Sequence, residues 1–319
     1  MMNENAKDMK IEEAKKEVKK EPVSEIYVPE KPKEKRHMGQ KSKRRISNIV
    51  IYVILILMSI IWLLPYVFII LQSFEVSYTG NGGNIIPHEW GWDNYVRLFT
   101  KTNFPRWFLN TFLMALAVSV LQTIFVLSMS YTLSRLRFKG RKLLMNLMLV
   151  LGMFPGFLTM IVLYRLLNDM NLIMENAIFG LILVYVASSG MGYYVSKGFF
   201  DTIPRSLDEA ARVDGATRLQ VFYKIIMPLA KPIVIYTVLT AFMAPWGDFV
   251  FARYISNNTS SSYNVAVGLW SFLSTNDGMS NYYTVFCAGG VVVSIPITAL
   301  FLWLQKYYVE GVTGGAVKG

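Results

Sequence analysis

Six long apolar runs constrain the fold of this chain more than any other feature of its sequence. They carry no Asp, Glu, Lys or Arg, and they span residues 48–73, 107–134, 143–164, 177–196, 232–247 and 282–305. A bilayer core about 30 Å thick needs roughly 20 apolar residues per helix, and most of these runs meet that length. The fifth run is the weakest, because Asp248 closes it early. The sequence therefore predicts an all-α membrane protein with six transmembrane helices.

Lys and Arg are distributed unevenly over the segments between these runs. Residues 1–48, 135–142, 197–231 and 306–319 hold 27 of the 32, and without residues 1–48 the division is still 13 against five. Cytoplasmic segments next to spans are enriched in Lys and Arg. Both termini and the 197–231 segment are therefore predicted to be cytoplasmic. Topology and anionic lipid headgroups explain the net charge of +11, which does not call for nucleic acid.

The chain divides into a tail and a membrane domain. Residues 1–48 alternate Lys and Glu and contain three prolines, a composition typical of a largely disordered cytoplasmic segment. Residues 49–319 hold the six spans, the polar loop 201–230 and a cytoplasmic C-terminal tail, 306–319. The first apolar run follows a long hydrophilic segment and is long enough to span, so no cleavable signal peptide is predicted.

Motifs of enzymatic chemistry are absent from the sequence. It contains no GxxxxGK[ST] phosphate loop and no HExxH, and its only histidines are His37 and His88. The single cysteine, Cys287, lies in the last run, where packing is the expected role. No catalytic residue, metal site or cofactor is predicted, and a membrane-embedded enzyme is disfavoured.

The polar loop between the fourth and fifth runs carries several helix signals. Ser206 and Glu209 have the spacing of a capping box, and Thr217 and Gln220 have the same spacing. Gly215 lies between them and can adopt the left-handed backbone that ends a helix. The pattern predicts a helix, a glycine corner and a second helix on the cytoplasmic face. A stiff connector of this kind can carry motion into the spans, although a well-capped surface loop is the other interpretation.

The residues of this loop also resemble a known signature. Glu209-Ala210-Ala211, then Gly215 after three residues, then IIMP at 225–228 after nine more, resembles the EAA signature of ATP-binding-cassette (ABC) importer permeases. Met227 stands where Leu is usual. The segments WGDFVFARY (246–254), YNVAVGLWSF (263–272) and VEGVTGGAVKG (309–319) resemble the carbohydrate-uptake branch, in particular the MalG-type subunit of maltose and maltodextrin importers. The similarity covers the chain from about residue 50 to its end.

The resemblance implies a type I ABC importer permease fold and two contacts with an ATP-binding subunit. The first is the coupling helix, which here comprises Glu209, Ala210, Ala211, Arg212, Asp214 and Gly215. Glu209 would pair with a basic residue of the ATPase, both alanines would allow close approach, and Gly215 would make the bend. The second contact is the C-terminal tail, with Gly311, Gly314, Gly315 and Lys318.

On the outer side, the resemblance implies a loop that enters the cleft of an extracellular sugar-binding protein. The matching residues are Asn257, Asn258, Thr259, Ser260, Ser261 and Ser262. Trp246, Asp248 and Asn110 are candidates for the sugar path, because aromatic faces and polar groups hold sugars. Asp248 has a structural alternative, an ion pair with Arg253. Asn110 has one as well, which is to cap or bridge helices.

The function implied is that of a permease subunit in the bacterial plasma membrane. It would form the path for maltose, maltodextrin or a related oligosaccharide with a second permease, an ATP-binding dimer and a sugar-binding protein. The partner ATPase would hydrolyse ATP, and this chain would be non-catalytic. A secondary transporter or channel with a regulatory cytoplasmic loop is the alternative, and it would place several ionisable residues within the spans.

Overall fold

The computed structural model describes residues 40–77, 85–153, 156–274 and 278–316. Two units can be separated, residues 1–61 and 62–319. The described part of the first unit is the beginning of helix α1 (Gln40–Ser73). The N-terminal tail up to residue 39 lies outside the described residues, so its predicted disorder stays a prediction. The second unit holds the rest of α1 and all later helices.

Helices account for nearly all of this structure. The helices before the polar loop are α2 (Asp93–Thr100), α3 (Phe104–Arg135), α4 (Arg141–Gly152), α5 (Gly156–Asp169), α6 (Ala177–Ala187) and α7 (Gly190–Thr202). Those from the loop onward are α8 (Ser206–Val213), α9 (Arg218–Gln220), a π-helix (Val221–Ile226), α10 (Met227–Leu229), α11 (Lys231–Gly247), α12 (Val250–Ser256), α13 (Val265–Leu273) and α14 (Gly278–Ala316). The only β pairing among the described residues is an isolated bridge between Glu75 and Trp90.

Four of the predicted spans have helices long and apolar enough to cross a membrane: Ser47–Ser73, Phe104–Arg135, Met174–Thr202 and Asn281–Gln305. The other two predicted spans are bent helix pairs. α4 and α5 meet at 101°, and the helical segment Arg218–Leu229 meets α11 at 84°. The count is six if each bent pair is one span.

Proline explains the second bend, because Pro232 lies in the first turn of α11. Proline cannot donate a helical hydrogen bond, and it disfavours helical backbone at the preceding residue. The segment Arg218–Leu229 therefore does not continue straight into α11.

The short helix α2 is fixed by a buried polar residue. The amide of Asn94 donates to the carbonyls of Ser73 (3.0 Å) and Glu75 (2.7 Å), and it accepts from the hydroxyl of Thr284 (2.9 Å). Leu98 on the same helix is fully buried. The inner face of α2 is thus fixed to the end of α1, at Ser73, and to α14, at Thr284.

Helix α3 lies in the main hydrophobic core, where Trp107 leaves no room at Gly268 of α13. A Cβ added at Gly268 would lie 2.1 Å from the Trp107 ring. The ring cannot easily retreat, because its Nε1 donates to the Ser260 carbonyl at 2.9 Å and only 4% of the residue is exposed.

Gly268→Ala is therefore expected to destabilise the protein by about 1–3 kcal/mol through overpacking. Thermal unfolding in detergent measures the effect as a lower midpoint. Gly198→Ala is the control, because an added Cβ there meets nothing within 4 Å. An equal midpoint for both variants would show that the Trp107 contact is not tight.

Candidate functional site

The helix α8 begins differently from the sequence prediction. Arg205 is the residue before the helix, has helical backbone angles and makes no side-chain cap, so the predicted Ser206–Glu209 capping box is wrong. Pro204 supplies a pre-set φ, and the amide of Leu207 bonds to its carbonyl at 3.4 Å. The turn thus starts ahead of Ser206, which leaves Ser206 inside the helix.

The end of α8 agrees with the prediction. Gly215 has φ +87°, in the left-handed region. Its amide bonds to the carbonyl of Arg212 (3.2 Å), and the next amide, of Ala216, bonds to the carbonyl of Ala211 (2.9 Å). These two bonds are the Schellman motif, which satisfies the last carbonyls of a helix. The glycine corner is therefore a defined structure.

The second capping box is also confirmed. The amide of Gln220 bonds to the Thr217 hydroxyl at 3.3 Å, and the Gln220 side chain accepts from the Thr217 amide at 2.8 Å. The predicted helix that follows is more irregular than expected, since Val221–Ile226 is a π-helix. The chain then bends at Ala230 into α11.

The two alanines of the EAA segment differ in exposure. Ala210 is exposed, whereas Ala211 is 9% exposed and belongs to a core cluster with Phe200, Val221 and Ile226. The prediction that both alanines lie open to a partner is wrong for Ala211. Its small side chain lets α8 lie close to the chain's own helices. The other four predicted docking residues, Glu209, Arg212, Asp214 and Gly215, are exposed.

Sequence reasoning missed an exposed apolar residue on the outer face of α8. Val213 is 87% exposed and lies three residues after Ala210, on the same side of the helix. Together with Ala210, it gives the outer face of α8 a small exposed apolar patch. The signal was present in the sequence as a valine at helical spacing from Ala210 with polar neighbours.

A buried ion pair fixes α8 to the end of α3. Arg135 Nε lies 3.0 Å from Asp208 Oδ2, and only 5% and 16% of the two side chains are exposed. Arg135 also donates to the carbonyl of Ile203 (2.9 Å), and Arg205 donates back to the carbonyl of Ser134 (3.3 Å). Burial raises the pKa of Asp208 above its usual range, although Arg135 acts to lower it. The helix α8 is thus joined to the second span.

Helix α7 joins the same junction. The hydroxyl of Ser134 donates to Asp201 (2.6 Å), whose other oxygen pairs with Lys197 at 2.5 Å. The sequence prediction connected the polar loop with the fourth and fifth spans. The structure adds α3, through residues that are distant from the loop in sequence.

At the other end of α11, Asp248 is held by two hydrogen bonds. The hydroxyl of Tyr185 donates to Oδ2 at 2.6 Å, and the amide of Phe251 donates to Oδ1 at 3.0 Å. The considered ion pair with Arg253 does not form, because Arg253 is directed at Tyr263 Oη (2.5 Å) and Asn258 Oδ1 (2.7 Å). Asp248 therefore has a structural role in starting α12.

Asn110 bridges α3 to the outer loop, which was its considered alternative. Its amide donates to the carbonyls of Ser261 and Tyr263, each at 3.0 Å. In this loop Ser262 is buried, and Asn257 and Asn258 are exposed. Thr259, Ser260 and Ser261 are half-buried. The loop is thus folded onto the body, with Asn257 and Asn258 as its exposed residues.

Trp246 is the third predicted path residue, and 4% of it is exposed. Its ring packs against Phe108 and Phe242, at centroid distances of 5.4 and 5.9 Å. Among the described residues its indole Nε1 has no hydrogen-bond partner. Of the three candidates, Trp246 therefore retains a donor that the fold does not use.

Comparison with known proteins identifies the family. Residues 126–314 match the family described as binding-protein-dependent transport system inner membrane component. This match includes α8 and more than half of the chain. The chain belongs to this family.

The chain matches permeases of sugar transport systems over nearly their whole length. The chain is 34% identical to the maltodextrin transport system permease protein MdxG of Bacillus subtilis (strain 168), over 88% of this chain and all of the relative. It is 35% identical to the galactooligosaccharides transport system permease protein GanQ of the same strain, over 88% of this chain and 98% of the relative.

A solved structure supports the fold of the permease. A crystal structure of a bacterial ABC transporter involved in the import of the acidic polysaccharide alginate contains a chain with 25% identity and a TM-score of 0.72. The match covers 83% of this permease and 98% of that chain. The predicted all-α membrane fold and the resemblance to carbohydrate-uptake ABC permeases are confirmed. The cytoplasmic placement of the termini stays a prediction.

The last predicted site lies at the C-terminus of the permease. Helix α14 continues to Ala316, so Gly311, Gly314 and Gly315 lie in helical backbone. Lys318 lies outside the described residues. Within the described ranges, no group of three or more His, Cys, Asp or Glu side chains could hold a metal ion.

Proposed function

We propose that this permease is the MalG-like subunit of an ATP-driven importer for maltodextrin or a related oligosaccharide. The relatives named for maltodextrin and galactooligosaccharide transport support this substrate class. The observation that carries the proposal is helix α8, which is exposed on its outer face and fixed to a membrane span on its inner face. This arrangement suits a helix that receives motion from another subunit.

The outer face of α8 is the proposed contact with the ATP-binding subunit. Ala210 and Val213 offer an apolar centre, with Glu209, Arg212 and Asp214 around it. An interface with an apolar centre and a charged rim excludes water from its middle and gains orientation from its charges. Glu209 is proposed to pair with a basic residue of the ATPase.

Transmission into the membrane is proposed to run through the Arg135–Asp208 pair and the Gly215 corner. Closure of the ATPase dimer would move α8, and the ion pair would carry the movement to α3. A ligand shifts a conformational equilibrium only by binding its two states differently. ATP must therefore act through a contact that changes between inward-open and outward-open states, and α8 provides one.

At the outer side, the loop 257–262 is proposed to contact a sugar-binding protein. Asn257 and Asn258 are its exposed amides. Asn258 Oδ1 accepts from Arg253, which leaves the Asn258 NH2 group and the Asn257 amide to exchange hydrogen bonds with sugar hydroxyls. The sugar path is proposed to include Trp246, because its indole donor is unused. Asp248 and Asn110 are proposed to shape this region through the contacts described above, without touching sugar.

The C-terminal residues Gly311, Gly314, Gly315 and Lys318 are proposed as a second contact with the ATP-binding subunits. The partner permease would complete the path as a heterodimer. Neither ATP binding nor hydrolysis is assigned to this chain, since its sequence has no phosphate loop.

Uptake by reconstituted vesicles tests this function. The permease, its genomic partners and the binding protein are placed in proteoliposomes, and uptake of labelled maltotetraose is followed with ATP inside or absent. We expect uptake that requires both internal ATP and the binding protein, and competition from other oligosaccharides ranks the substrates. Uptake driven by an ion gradient without ATP would contradict the proposal and favour a secondary transporter.

A further inference from the structure

An arginine-rich cleft lies beside α8, on the side facing the end of α3. Its volume is about 460 Å³, and five of the ten residues that line it are arginines: Arg135, Arg137, Arg205, Arg212 and Arg218. The only acids in the lining are Asp208 and Glu209. Asp208 already forms an ion pair with Arg135. The cleft therefore has a surplus of positive charge.

Three of these arginines are free to bind a ligand. Arg135 and Arg205 are occupied by the carbonyls of Ile203 and Ser134. Arg137, Arg212 and Arg218 are exposed and have no hydrogen bond or ion pair to another described residue. Guanidinium groups converging on one cleft match the oxygens of a phosphate group.

An apolar groove continues from this cleft along the membrane span. Its volume is about 320 Å³, and it shares Tyr131, Leu136 and Arg218 with the arginine cleft. Further along, it is lined by Ser128, Leu219 and Phe222. Ser128, Tyr131 and Thr132 are three and four residues apart, which places them on one face of α3.

We propose that the cleft and the groove together bind one anionic phospholipid. The phosphate group lies against Arg137 and Arg218, and an acyl chain follows the groove along α3. The end of a membrane span is where lipid phosphates lie, and basic residues there attract anionic headgroups. A free phosphate would fill the cleft alone, whereas the continuous apolar groove is explained by a lipid.

Such a lipid would contact both α3 and the segment that follows the Gly215 corner. It would stiffen the junction that holds α8. The two arginines proposed to hold the phosphate, Arg137 and Arg218, are outside the proposed ATPase contact, although Glu209 and Arg212 of that contact also line the cleft. Lipid binding is therefore measured directly and not through transport.

Native mass spectrometry of the detergent-purified permease, with whichever partners copurify, tests the site. Dioleoylphosphatidylglycerol, dioleoylphosphatidylcholine and glycerol phosphate are titrated separately. We expect one phosphatidylglycerol adduct at low lipid, and clearly weaker binding of the other two probes.

The paired variants carry the same change of charge. Each guanidinium is expected to contribute about fivefold to the affinity for an anionic lipid. Arg137→Gln with Arg218→Gln is therefore expected to weaken phosphatidylglycerol binding about 25-fold. Lys139→Gln with Lys142→Gln is the control, because these lysines follow Arg137 closely in sequence but do not line the cleft. Binding by the control is expected to stay within about twofold of the wild type, in keeping with the weak effect of surface charges outside a site.

A third variant separates a lipid from a free anion. Ser128→Trp fills the apolar groove at an exposed position and is expected to weaken phosphatidylglycerol without changing glycerol phosphate. Equal binding of phosphatidylcholine in the wild type, or equal loss in the arginine and lysine pairs, would overturn the proposal. An unchanged phosphatidylglycerol adduct in Ser128→Trp, with tight glycerol phosphate binding, would show a free-anion site instead. Loss of a copurifying ATP-binding subunit from the arginine pair, with no lipid adduct in the wild type, would assign the cleft to that partner.

Discussion

Arg135→Ala is expected to destabilise the permease by about 3 kcal/mol and to reduce sugar uptake far more than ATP hydrolysis. Removing one partner of a buried ion pair leaves the other charge uncompensated, which costs about 3–5 kcal/mol. The lower end of this energy range applies because 16% of the Asp208 side chain is exposed to solvent. The variant also loses the bond to the Ile203 carbonyl, so α8 is no longer held by α3.

Thermal unfolding and the ratio of sugar imported to ATP hydrolysed are the two measurements. Lys139→Ala is the control, since it removes a cation from the adjacent turn without breaking a described contact. The double variant Arg135→Ala/Asp208→Ala should recover part of the stability, because no unpaired charge remains. If the single variant kept the wild-type ratio, α3 would not be part of the coupling path.

Glu209→Lys is expected to abolish ATP-dependent uptake while the protein stays folded in the membrane. Glu209 is exposed in the first turn of α8, so its reversal should cost about 1 kcal/mol or less in stability, from the helix dipole and the neighbouring arginines. If it pairs with a basic residue at the ATPase interface, a repulsive pair there costs about 2–5 kcal/mol, or more than tenfold in affinity.

Copurification of the ATP-binding subunit and uptake by proteoliposomes measure this effect. Glu209→Gln removes the charge without reversing it and should be intermediate. Glu175→Lys is the matched control, because it reverses an exposed glutamate that is distant from α8 in sequence. Full retention of the ATPase by Glu209→Lys would remove Glu209 from the proposed contact.

Local signals in the sequence predicted much of α8 and its surroundings. Gly215 and the Thr217–Gln220 box depend on neighbouring residues alone, and both were identified correctly. The apolar runs were also sufficient for the fold class, because the requirements of a bilayer leave few alternatives. The Ser206–Glu209 box failed because its spacing fits two helix starts, and Pro204 selected the earlier one.

Contacts between distant segments could not be predicted in this way. The partner of Asp208 is Arg135, at the end of another span, and nothing near Asp208 indicates it. The inward orientation of Ala211 depends on the core that receives it, and the bond from Asn110 to the outer loop depends on the packing of α3. Pairings of this kind are set by tertiary structure, which leaves no periodic pattern in one chain.

Cross-linking from Val213 tests the central claim, that α8 docks on an ATP-binding subunit, most directly. Val213→Cys is made in a Cys287→Ala background, since Cys287 is the only cysteine of the chain. The new thiol is labelled with a maleimide photo-cross-linker in membranes that contain the partner subunits. Ile86→Cys, 68% exposed in a different loop, is the control. We expect a light-dependent adduct with the ATP-binding subunit from position 213 and none from position 86. The absence of an adduct at 213 in a transport-competent complex would contradict the claim.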